Sequence, residues 1–132
     1  MKAVKAGLLY TGKEEPPLEN VYILFENSRI ISVSVEKPDC EIVDEAPVVT
    51  PAFIDPHSHI GLDRSGEPYT ETEVNEKFDS IIAIADALDS VYMDDKSFKE
   101  SIEYGVLYSC ILPGSGNIIG GKAAVIRNYA ET

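Results

Sequence analysis

The sequence predicts a mixed α/β chain, with a small β-rich unit over residues 1–50 and the beginning of a strand–helix–strand unit over 51–132. Three observations carry this expectation. The first fifty residues hold short apolar runs separated by turn-forming residues. A helical spacing of apolar residues begins near residue 78, and a strongly apolar run, VLYSCIL at 106–112, follows it.

The β-rich half opens with a mixed run at 2–10 and a breaker-rich stretch at 11–17 containing Gly12, Pro16 and Pro17. Residues 21–25 (VYILF) are continuously apolar, as in a strand covered on both faces. Asn27-Ser28 then makes a tight turn: Asn tolerates a positive φ, although Ser is a poorer companion than Gly. Ile31, Val33 and Val35 alternate with Ser32 and Ser34, the pattern of a half-buried strand. Two shorter strands, at 41–43 and 48–50, are expected on either side of Pro47, which completes a small antiparallel β unit.

The second half has a different pattern. Residues 61–75 are poor in apolar side chains and form a long loop. Phe78, Ile81, Ile82, Ala85 and Leu88 recur at helical spacing and predict a short amphipathic helix. A second helix is expected to start with Asp94 or Asp95 as N-cap and to end at Gly105. A strand at 53, helices, then a strand at 106 imply a parallel pair joined by a right-handed crossover. Residues 122–129 are a weaker strand candidate.

Eleven basic against 23 acidic side chains give a net charge of −12, which argues against nucleic acid and anionic membranes as partners. Residues 63–103 carry twelve acidic and four basic side chains, mostly a solvated helical face. Cys40 and Cys110 form no C-x-x-C, so neither a zinc ribbon nor a disulfide framework is indicated. No run approaches the roughly 18 apolar residues of a membrane helix, and the N-terminal apolar stretch is too short for a signal peptide. A cytoplasmic protein is expected.

The chemistry concentrates at 50–61, TPAFIDPHSHIG, which holds both histidines of the chain, His57 and His59. In an extended segment, side chains at i and i+2 share a face, so Asp55, His57 and His59 point the same way. Two imidazoles so placed can reach a single metal ion. Neighbouring histidines are more often ordinary surface or core residues, and even an open catalytic zinc site takes three protein ligands. Their place at the carboxyl end of a strand, opening a long loop, favours the metal reading, because active sites of parallel α/β folds form there. Asp63 and Glu67 follow closely and could reach a metal-bound substrate, but surface carboxylates are the default in so acidic a loop. Ser109 and Cys110 read as small residues inside a strand. Residues 116–122 satisfy G-x-x-x-x-G-K, yet Ala123 stands where a phosphate loop needs Ser or Thr, and a strand rather than a helix follows. A loop shaped by backbone packing is the better reading.

The β-rich start with its FENSRIISV hairpin, followed by VVTPAFIDPHSHIG, resembles the start of the metal-dependent amidohydrolase superfamily. The later GVLYSCILPGSGNIIGGKAAVIRNYA is similar to the second barrel strand and its loop in the imidazolonepropionase-like branch. Ala52 stands where the family usually has Gly, and Ser58 where Thr is more usual. The resemblance implies the N-terminal part of a composite β-sandwich and then the first βαβ portion of a truncated (β/α)8 barrel. It implies His57 and His59 as ligands of a divalent metal, zinc, with Asp55 orienting the strand. The family's other ligands, a lysine, two histidines and a catalytic aspartate, come from later strands. Such a barrel needs about 250 residues, so this chain is expected to be the N-terminal third of an enzyme. It is expected to be inactive alone, with a small-molecule amide as substrate of the full enzyme. Self-association, or association with a C-terminal portion, is expected through unpaired strand edges.

Overall fold

In a computed structural model that describes residues 1–68, 70, 72, 74–75 and 80–129, the chain is mostly β-sheet with few helices. It divides into two compact units, Met1–Pro51 and Ala52–Thr132.

The first unit is one four-stranded sheet in the order β3-β2-β1-β4, built from β1 (Lys2–Leu9), β2 (Leu18–Glu26), β3 (Arg29–Ser34) and β4 (Glu41–Val49). β2 and β3 form a hairpin in which Glu26 faces Arg29, and both intervening residues are left-handed, Asn27 at φ 49° and Ser28 at φ 62°. That is the mirror-image turn whose twist matches the strands it joins. Ala6, Leu9, Val21 and Ile23 make the core, with Val49 packed against it. In β2, Val21 and Ile23 are buried while Tyr22 and Leu24 are half-buried. The VYILF run therefore faces a core on one side of the sheet.

Two expectations for this unit are corrected. The segments at 41–43 and 48–50 are parts of a single strand, β4, which runs through Pro47. β4 lies at the sheet edge with β1 as its one neighbour, where a residue lacking an N–H is tolerated. Nor is the sheet wholly antiparallel, because β4 runs parallel to β1.

The second unit holds a three-stranded sheet in the order β5-β6-β7, from β5 (Phe53–Ser58), β6 (Val106–Ile111) and β7 (Ala124–Arg127). β5 and β6 are parallel and β7 runs antiparallel to β6. A closed barrel is not shown among the described residues. Between the parallel strands lie α1 (Ala87–Ser90) and α2 (Lys96–Glu103). Asp95 caps α2 by accepting a hydrogen bond from the Ser97 N–H at 3.0 Å. Phe98 of α2 joins Leu62, Ala87 and Ile111 in a core that also gathers Ile60, Val74, Val91, Ala124 and Ile126.

The helix expected around residues 78–88 is not formed as such. Phe78 lies outside the described residues, and among the described residues of this stretch only Ala87–Ser90 is helical. Ile81 and Asp86 instead bridge to Ile119 and Lys122, and the Ile82 and Ala87 amides donate to the carbonyls of Ile119 and Lys122. These backbone groups find partners in the glycine-rich loop rather than in their own helix. The apolar stripe gains little burial to oppose this, since Ile81 and Leu88 are exposed and Ile82 and Ala85 only half-buried.

Candidate metal centre at the end of β5

β5 ends irregularly. Its ladder to β6 breaks between Asp55 and Ser58, across Pro56, which has no N–H to donate. The Asp55 carboxylate accepts a hydrogen bond from the His57 N–H at 3.1 Å, so it shapes the backbone here. His57 is exposed and His59 half-buried. Their rings meet edge to face with centroids 5.5 Å apart.

His59 is held on its inner side. Its Nδ1 lies 2.7 Å from the Leu112 carbonyl, just past the end of β6. A carbonyl only accepts, so Nδ1 carries a proton, and in the neutral ring Nε2 keeps the lone pair. Metal-binding histidines are commonly fixed in this way through the second nitrogen. The Leu112 N–H in turn donates to the Ser58 carbonyl at 2.9 Å, which ties both strand ends together. The pair thus fits two positions of a metal site. Among the described residues, no group of three or more His, Cys, Asp or Glu side chains could hold a metal.

The loop leaving the histidines is tied down by a residue that the sequence reading passed over. Arg64 donates to Glu67 Oε1 at 2.9 Å and to Asp94 Oδ2 at 2.5 Å, and it lies over the Tyr92 ring at 4.5 Å. The hydrogen bond from Arg64 holds the Asp94 carboxyl below its ordinary value. Arg64 is the sole basic residue between His59 and Lys77, a signal that could have marked it. Glu67 is engaged by that ion pair, and Asp63 is exposed. Ser109 is buried, with its hydroxyl 2.9 Å from Asn128 Nδ2. Cys110 is a half-buried free thiol, as is Cys40.

Five amides of the glycine-rich loop after β6 are already engaged. The amides of Gly114, Gly116, Ile118, Ile119 and Lys122 donate to Val74, Asn75, Ser80 and Ala85. Those groups are not free to cradle a phosphate, in keeping with the backbone-packing reading.

No protein-family model matches the chain. Amidohydrolase tasK of Hapsidospora irregularis is 30% identical over 113 residues, a match that covers 80% of this chain and 12% of tasK. The crystal structure of an amidohydrolase from Thermotoga maritima MSB8 superposes with a TM-score of 0.83 at 30% identity, over 98% of this chain and 34% of that one. The chain matches the N-terminal portion of an amidohydrolase-superfamily protein. It spans about an eighth of tasK and a third of the Thermotoga chain. His57 and His59 stand where the parallel strands β5 and β6 end.

Proposed function

We propose that the chain is the N-terminal segment of a metal-dependent amidohydrolase that cleaves a C–N bond of a small amide, cyclic amides included. Its part is to supply two ligands, His57 and His59, for a divalent metal, zinc. The observation that carries this reading is the His57–His59 pair at 5.5 Å, with His59 anchored through Nδ1 so that Nε2 is left for a ligand bond. Bound there, the metal would lower the pKa of a bound water to about 7 and polarise the scissile carbonyl. The chain's own residues bind and orient: Ser58 and Leu112 join the strand ends, and Asp55 sets the backbone at His57. The remaining ligands and the general base come from elsewhere in the full enzyme. The chain alone therefore holds zinc weakly and is inactive.

Zinc titration by calorimetry tests this. Weak binding by the 132-residue chain, lost in a His57→Ala/His59→Ala double variant, is expected. Identical zinc binding by both proteins would refute the assignment.

A second reading, a non-catalytic fragment that acts by self-association, is favoured by one feature. β5 is an edge strand whose Phe53 and Ile54 are 56% and 65% exposed, an apolar edge open to pairing with another copy or with a C-terminal portion. Sedimentation showing a monomer at micromolar concentration would sink it.

A further inference from the structure

The Leu112 carbonyl that fixes His59 needs support of its own. On the strand side, Leu112 is held through its N–H to Ser58. On the loop side, Pro113 offers no donor, so the next anchors are the Gly114 N–H to the Val74 carbonyl at 2.6 Å and the Gly116 N–H to Asn75 Oδ1 at 3.0 Å. Val74 packs on the core of this unit, which gives the clamp a fixed base. The Asn75 side chain sits in the crook between the two glycines. A Cβ on Gly114 would overlap its Oδ1 and Cγ, and one on Gly116 would lie 2.9 Å from Oδ1. The Leu112 carbonyl belongs to the peptide that leads into Pro113. Any swing of 113–116 therefore rotates the acceptor away from His59, and hydrogen bonds weaken steeply once they bend.

We propose that Asn75 is a positioning residue for His59. Through the Gly116 N–H it holds the loop after β6, and the loop holds the Leu112 carbonyl that keeps His59 in its Nδ1–H form. The proposal rests on the metal reading above only for what Nε2 goes on to bind.

Long-range nitrogen–proton NMR of the histidine rings in the metal-free chain tests the coupling directly. His57→Gln assigns the signals. Wild-type His59 is expected as the Nδ1–H tautomer alone. Asn75→Ala should give a mixture of tautomers and weaken binding of zinc alone about tenfold, as loss of an outer support does. Asn75→Asp keeps an acceptor for Gly116 and should restore the single tautomer. An unchanged His59 in Asn75→Ala, or an Nε2–H form in the wild type, would overturn the proposal. Should Asn75→Ala fail to fold, hydrogen exchange in the wild type decides: a protected Gly116 amide supports the clamp, and an unprotected one refutes it. A wild type that binds no zinc while Asn75→Ala still scrambles the tautomer defeats the metal reading and leaves the coupling standing.

Discussion

Gly61 follows the histidine pair by two residues, and replacing it with alanine separates two costs that usually arrive together. Its φ is +78°, and a Cβ there would lie 2.9 Å from Phe98 Cζ and 3.0 Å from Val91 Cγ1. The left-handed backbone costs an L-residue about 1–2 kcal/mol. Forcing a methyl against a buried ring adds about 1–3 kcal/mol. Gly61→Ala should thus destabilise this unit by about 2–5 kcal/mol, a large share of the roughly 5–15 kcal/mol typical of a domain. Gly66 supplies the control, because its φ is +94° and nothing lies within 4 Å of its would-be Cβ. Gly66→Ala should therefore show the backbone cost alone, about 1–2 kcal/mol. Urea unfolding gives the totals. Hydrogen exchange at the Leu62 amide, which donates to the His59 carbonyl at 3.0 Å, reports whether the loss is felt beside the histidines. If Gly61→Ala costs no more than Gly66→Ala, the packing argument fails.

Two further outcomes follow from the same geometry. Ser28→Gly relieves a left-handed serine and should stabilise the first unit by about 0.5–1 kcal/mol after the entropy of the more flexible unfolded chain is counted; a lower melting temperature would contradict this. Asp94 should titrate below its ordinary 3.8 because Arg64 hydrogen-bonds its charged form. The Arg64–Asp94 contribution is then fully present above pH 3.8 and is lost as pH falls through the lower, folded value. Carboxyl NMR of Asp94 checks it, and a midpoint at or above 3.8 would refute it.

What was legible in the sequence was local. The β2–β3 hairpin could be read because a continuous apolar run precedes Asn27-Ser28 and an alternating one follows it, and α2 because Asp95 caps it and Gly105 follows its end. The parallel pairing of β5 and β6 followed from two apolar runs separated by helical segments. The failures came where distant backbone decided the outcome. Pro47 looked like a strand break because the sequence does not say that β4 is an edge. Residues 81–86 looked helical because their spacing carries no sign of the loop at 118–122 that takes their hydrogen bonds. The candidate site divides in the same way. The histidine spacing brought the two rings together, and Asp55 shapes the backbone at His57, in line with the orienting part expected of it. Asn75 and the Leu112 carbonyl could not be found by any motif, since one acts through the Gly116 amide and the other is a main-chain atom.

That main-chain identity changes what a substitution can do at position 112. The atom that steadies His59 is one every amino acid possesses, so the leucine side chain can be exchanged without removing the acceptor. Strand length has no such tolerance. Successive carbonyls of a strand point in opposite directions, so inserting or deleting one residue within Val106–Ile111 would aim the acceptor away from the imidazole. What β6 must preserve for His59 is a count of residues, and the letters at the end of that count are open to drift.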